Sequence, residues 1–138
     1  TTLGSLVVSL GIDLTLGSLV GLGIQFGVAP EAIELAAILS FPQSPWSIPN
    51  PLYQEPEQYN DLASKTFVSR AHFDANLYSE PFGTMNLMWD YNAEARKERF
   101  CRHYSVNATR LKRLMTTVDS LRGRVALQCG VHKDSLRM

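Results

Sequence analysis

Cysteine is nearly absent: Cys101 and Cys129 are the only two in 138 residues. Two thiols do not make a disulfide framework, and a reducing, intracellular setting is expected. Long apolar runs are also missing. Residues 14–28 come nearest, but a bilayer span needs roughly 20 apolar residues, so a buried helix is expected there and no membrane partner. No segment alternates apolar and polar residues with period two, so no strand is expected. The chain starts Thr1-Thr2-Leu3, without an initiator Met and without the basic, apolar and small-residue regions of a signal peptide. It reads as a piece of something longer. The glycines of "LGSLVGLGIQFG" lack the Lys-Ser/Thr ending and the preceding strand of a phosphate loop. They are expected to permit close helix packing instead.

What is present is helical periodicity. The length suits one domain with its own core. Leu3, Leu6, Val7 and Leu10 fall at i, i+3, i+4 and i+7, and Gly11 ends that helix. Leu16, Leu19, Val20 and Gly23 repeat the spacing, with Asp13 or Thr15 as cap. "LGSLV" occurs at 3–7 and 16–20, but two copies do not make a repeat array. Pro30 and Glu31 open a helix over 30–40 with Ile33, Ala36, Ala37 and Leu39 inward. Five of the seven prolines lie in 41–56, which predicts a stiff loop pinned by Trp46 and Ile48. Helix resumes near Glu57, with Tyr59, Leu62, Ala63 and Phe67 on one side; 71–80 is irregular. Pro81 then opens a helix that runs on through Arg96 to Cys101. Asn107 caps the last helix, whose apolar stripe is Leu111, Leu114, Met115, Val118, Leu121 and Val125. The fold class is all-α.

The formal net charge is zero, yet it is unevenly distributed. Residues 1–93 hold two cations against nine acids, a net of −7, and residues 94–138 hold eleven against four, a net of +7. Seven of the cations crowd into "ARKERFCRHYSVNATRLKRL", residues 95–114. Such segregation points either to a polyanionic partner or to neutralisation of one half by the other.

Helical geometry sharpens the first possibility. At 100° per residue from Leu111, the residues Arg110, Arg113, Thr117 and Arg124 fall between about 200° and 260°, beside the apolar stripe. Arg96, Arg99 and His103 form a second basic row at i, i+3 and i+7, and Glu94–Lys97 and Glu98–Arg102 pairs are expected to neutralise part of it. Arginine beside hydroxyl and amide side chains suits phosphate and sugar contacts, which hold a strand without reading its sequence.

Other chemistry is thin. Cys101-x-His103 and Cys129-x-x-His132 lack the regular ligand pairs of a structural zinc site. His72, Asp74 and Ser79 have no elbow motif or oxyanion loop around them. Asn107-Ala108-Thr109 matches a glycosylation acceptor that only a secreted chain would use.

The order of several motifs resembles the helicase-associated region of DEAH/RHA-type RNA helicases. That family shows Thr-x-Leu-Gly, an apolar helix, a Pro-containing turn, a helix ending near Phe and an Ala-rich helix closing on Leu-Ser. Here those features fall on Thr2, Leu3, Gly4, Leu10, Asp13, Leu16, Phe26, Glu31, Ala36, Ala37, Leu39 and Ser40. Ser79-Glu80-Pro81-Phe82 through Asn86 is similar to its Ser-Asp-His-Leu and Leu-Asn-Val segments, Phe100-Cys101 to its Trp-Cys, and "VNATRLKRL" to its Arg-Ser-Leu-Arg stretch. The resemblance covers about residues 2–125. Gly11, Leu14, Ser18, Val28 and Pro81 depart from its pattern.

The resemblance implies the last helix of a winged-helix domain over 1–12, followed over 13–138 by a ratchet-like helical bundle. It implies a parent ATP-dependent RNA helicase, with RecA-like domains upstream and an OB-like domain downstream. The chain itself would be non-catalytic and without cofactor, ATP and Mg belonging to the parent. Its role would be to line the channel for single-stranded RNA. Joined to the basic rows, the expected RNA-binding residues are Ser79, Arg99, Arg102, His103, Asn107, Thr109, Arg110, Arg113, Thr117 and Arg124. The rival expectation is a scaffold for helicase cofactors or assembly factors, docking at the Pro-rich loop with Trp46 and at the acidic "EPEQYND".

Overall fold

The computed structural model describes residues 1–138 and is all-helical, as the periodicity predicts. Seven helices follow in chain order: α1 (Thr2–Ser9), α2 (Leu14–Gln25), α3 (Ala29–Ser40), α4 (Pro56–Asp74), α5 (Glu80–Ala93), α6 (Lys97–His103) and α7 (Ala108–Cys129). A 3-10 turn, Lys133–Leu136, closes the chain. None of the helices is long and apolar enough to cross a membrane.

The chain forms two compact units. The first is Thr1–Pro42 with Leu114–Met138, and the second is Gln43–Arg113. In the first unit α2 packs against both α1 and α3. Its glycines make this possible: a Cβ on Gly17 would stand 2.8 Å from Val7 Cγ1, and one on Gly23 would fall on the Ala32 methyl. Gly11 ends α1 at φ 63, a conformation that costs other residues more. The Asp13 carboxylate accepts the Thr15 N–H at 2.9 Å and starts α2. The core is Val7, Leu10, Val20, Ile33, Ala36 and Ala37 with Leu114, Val118, Leu121 and Val125 of α7. Leu39, expected inward, is half exposed, because α3 turns Ile33, Ala36 and Ala37 to the core and Leu39 lies off that face.

In the second unit the Pro-rich segment is pinned as expected by Trp46, which is 3% exposed. The mechanism is backbone pairing. Ser47 N–H donates to the Ser105 carbonyl at 2.8 Å, and Asn107 N–H to that of Pro45 at 2.7 Å, around an antiparallel Trp46–Val106 bridge. Ile48 is exposed and pins nothing. Helix α4 runs to Asp74, four residues into the 71–80 stretch expected to be irregular, and buries Thr66, Ser69 and Phe73, whereas Phe67 is 75% exposed. The expected face was therefore wrong at Phe67: the buried line is i, i+3, i+7 from Thr66 and carries two hydroxyls that an apolar count overlooks.

Candidate nucleic-acid interface

The expected single helix from Pro81 to Cys101 is broken. Glu94 is extended, and its Oε1 accepts the Arg96 N–H at 2.9 Å, which stabilises the bend before α6. Lys97 then donates from Nζ to the carbonyls of Tyr91 and Asn92 and lies 4.7 Å over the Tyr91 ring. A cation there caps the last carbonyls of α5. Lys65 does the same for α6, with Nζ 2.5 Å from the Arg102 carbonyl. Neither local pair expected from spacing forms as an ion pair: Lys97 serves the backbone instead of Glu94, and Glu98 does not meet Arg102.

What remains at α6 and its cap is a set of exposed guanidinium groups, Arg96, Arg99 and Arg102, with the exposed His103 imidazole beside them. The three arginines take part in none of the chain's ion pairs. A cleft of about 410 Å³ opens among Glu94, Arg96, Arg99, Phe100, His103 and Tyr104. Tyr104 is half-buried. His72 stacks on it with ring centroids 5.6 Å apart and planes 10° apart, and His103 meets its edge at 4.6 Å. Phe73 and Phe100 support Tyr104 from beneath at 4.8 and 4.9 Å. Exposed guanidinium groups beside flat aromatic rings suit phosphates and bases of a single strand. Sequence reasoning missed Tyr104 and His72. The signal for Tyr104 was its place directly after Arg102-His103, while His72 reaches it only through the tertiary fold.

The start of α7 adds Thr109, Lys112 and Arg113, all exposed. Asn107 is the cap that its spacing predicts: its Oδ1 accepts the Arg110 N–H at 3.0 Å. Its side chain is therefore engaged in the fold. Arg110 is half-buried and directs Nη1 toward the Ser44 carbonyl at 3.5 Å. The expected row then crosses into the first unit. Thr117 is half-buried there, and Arg124 donates from Nη1 to the Leu10 carbonyl at 2.5 Å, at the C-terminal end of α1. Its Nε is buried without an acceptor. Ser79 lines a different cleft, between α4 and α5. The structure thus brings Arg99 and His103 to one cleft, keeps Arg102, Thr109 and Arg113 exposed in the same unit, and gives Asn107, Arg110 and Arg124 structural bonds.

The minor motifs are not assembled. No group of three His, Cys, Asp or Glu side chains is placed to hold a metal ion. Cys101 is buried, and burial pushes its thiol above the ordinary range against the opposing pull of Lys112 and Lys97. Asp74 uses both carboxylate oxygens on the Tyr78 and Ser79 N–H groups, while His72 stacks on Tyr104. Comparison with protein families, curated proteins and solved structures finds no match to this chain.

Proposed function

We propose that this chain is a non-catalytic accessory region of an ATP-dependent RNA helicase, which grips the backbone of single-stranded RNA. The observation that carries the reading is the set of exposed arginines on α6, unpaired with any carboxylate and set beside the Tyr104–His72 stack. The net charge of +7 over residues 94–138 supports it. So does the ordered series of motifs that resembles the helicase-associated region, with 1–12 as the end of a winged-helix domain and 13–138 as the ratchet-like bundle. In this role Arg99, Arg102 and Arg113 hold phosphates, Thr109 donates to a phosphate or sugar, and His103 with Tyr104 faces a base. ATP and Mg act in the parent's RecA-like domains, and an intracellular location follows.

The test is a salt titration of the 138-residue chain with fluorescent oligouridylate. Three or four engaged cations give a slope of log affinity against log salt of about −2 to −3. Replacing Arg99 and Arg102 by Gln shallows it by about 1 to 1.5. A slope that the double substitution leaves unchanged sinks the proposal.

A further inference from the structure

The second unit carries another cleft, of about 780 Å³, where α4 faces the start of α5. Its character is opposite to that of the basic cleft. Ala63, Ala71 and Gly83 leave it open, and buried Trp46 forms part of its floor. Phe67 on α4 is 75% exposed and Tyr78 at the mouth is 91% exposed. Two large rings left in water beside an apolar depression are what an interaction site looks like.

Tyr78 is held there at a cost. Its φ is 52, rare for a bulky side chain and worth about 1–3 kcal/mol of strain. Asp74 stabilises the turn by accepting the Tyr78 N–H at 3.0 Å and the Ser79 N–H at 2.9 Å.

The charge of the surroundings selects the occupant. The lining holds Asp74 and Glu80 against Arg70 alone, and Arg70 already pairs with Glu80 Oε1 at 2.6 Å. Residues 43–93, which supply the whole lining, carry six acids (Glu55, Glu57, Asp61, Asp74, Glu80, Asp90) and two cations (Lys65, Arg70), a net of −4, while the unit's seven other cations lie on residues 94–113, outside the lining. A phosphate backbone is repelled here and a cationic partner attracted. The α4 wall from Ala63 to Asp74 is about 16 Å long at 1.5 Å per residue, enough for apolar anchors at i, i+3 or i+4, and i+7 of a partner helix.

We propose that this cleft docks a basic amphipathic helix of a partner protein. Its apolar side chains seat against Trp46, Phe67 and Tyr78, and a flanking Lys or Arg meets Glu80. The site is independent of the RNA reading, since it shares no residue with the basic cleft.

The test uses the ¹⁵N-labelled 138-residue chain and four probes. They are a synthetic helix of about five turns with Leu at the anchor positions and Lys at the flanks, its Glu-flanked counterpart, a scrambled peptide of the Leu/Lys composition, and oligouridylate. The Lys-flanked helix is expected to shift the amides of Phe67 and Tyr78 and the Trp46 indole, and to bind at least about tenfold more tightly than the other two peptides. Phe67→Ala and Tyr78→Ala each weaken it about fivefold or more. Glu80→Gln weakens it about threefold at low salt and less at high salt. Circular dichroism confirms that these exposed substitutions leave the fold intact. Equal binding of the amphipathic and scrambled peptides overturns the proposal. So does an unaffected Phe67→Ala variant, or oligouridylate shifting the same residues. Loss of oligouridylate binding in the Arg99 and Arg102 variant, with peptide binding kept, separates the two sites.

Discussion

Arg122 and Glu34 stand 88 positions apart and meet at 3.4 Å between Arg122 Nη2 and Glu34 Oε1, with both side chains about nine-tenths buried. Arg122 also donates from Nε to the Leu136 carbonyl at 3.1 Å, which ties the closing turn to α7. The pair answers part of the question that the charge segregation raises: one carboxylate of the acidic segment neutralises one cation of the basic segment. Removing one partner of a buried pair costs about 3–5 kcal/mol when the other charge is left uncompensated; Arg122 Nη1 also stands 3.4 Å from Asp119 Oδ1, which keeps the loss at the lower end. Glu34→Ala is therefore expected to lower stability by about 3 kcal/mol or less in urea denaturation. Glu34→Leu with Arg122→Met is expected to recover most of that loss. A Glu34→Ala variant as stable as the parent chain contradicts this account.

Asp119 gives the acid dependence. Its hydrogen bond to Lys133 at 2.5 Å, aided by the charges of Lys133, Arg122 and Arg137 and opposed by partial burial, holds its carboxyl below the ordinary range. A depressed carboxyl contributes stability that is present above its unfolded pKa and is lost as pH falls through the lower folded value. Both side chains are partly exposed, so the contribution is about 1 kcal/mol or less and weakens with salt. The stability difference between the parent chain and Asp119→Asn should be constant near neutrality and vanish on acidification below the ordinary carboxylate range. Urea midpoints over a pH series measure it.

Much of this fold was legible in the sequence, and the failures have physical causes. Asp13, Pro30 and Asn107 marked helix starts because capping chemistry is local. The stripe of α7 was legible because its apolar residues keep one period over four turns. Arg122 was not, although it sits at about 20° on the Leu111 scale, inside that stripe. A cation in an apolar stripe requires a buried acid, and nothing local marks Glu34, 88 positions away, as that acid. The break before α6 was hidden because a local side-chain bond, Glu94 Oε1 accepting the Arg96 N–H, stabilises it. For the candidate site, spacing located the cations but not their partners. Arg110 and Arg124 bind carbonyls of Ser44 and Leu10, which only the tertiary fold brings near.

The two cysteines should differ in reactivity. Cys129 is exposed, whereas Cys101 is buried with its thiol pushed above the ordinary range. The thiolate is the reactive form, so Cys101 is protected both by access and by protonation. Iodoacetamide at neutral pH should modify Cys129 promptly and Cys101 only after unfolding. Peptide mass spectrometry distinguishes the two, and rapid labelling of Cys101 in the folded chain contradicts its placement.

Gly23 should not tolerate a methyl group. A Cβ there falls on the Ala32 methyl and comes 3.3 Å from the Val28 carbonyl. Overpacking costs about 1–3 kcal/mol, against about 1 kcal/mol gained in helix propensity. Gly23→Ala is expected to lower stability by up to about 2 kcal/mol on balance. Adding Ala32→Gly removes the opposing methyl and should return packing while giving up propensity on α3. A Gly23→Ala chain with raised stability means that α2 and α3 are not so closely packed.

Arg99 and Arg124 belong to the same expected RNA-binding set, yet the structure gives them different work. Arg99 is exposed beside the basic cleft and has no ion-pair partner. Arg124 is half-buried with Nη1 on the Leu10 carbonyl, the last turn of α1. Arg124→Ala leaves that carbonyl without its charged donor, a loss of about 1.5–3 kcal/mol. It should lower the melting temperature and leave oligouridylate affinity per folded molecule nearly unchanged. Arg99→Ala should do the reverse: unaltered stability, weaker binding, and a salt slope shallower by about 0.7. Thermal melts run beside the salt titrations separate the two effects. If Arg124→Ala flattens the salt slope while Arg99→Ala does not, the strand runs along α7 and the interface assigned to α6 is wrong.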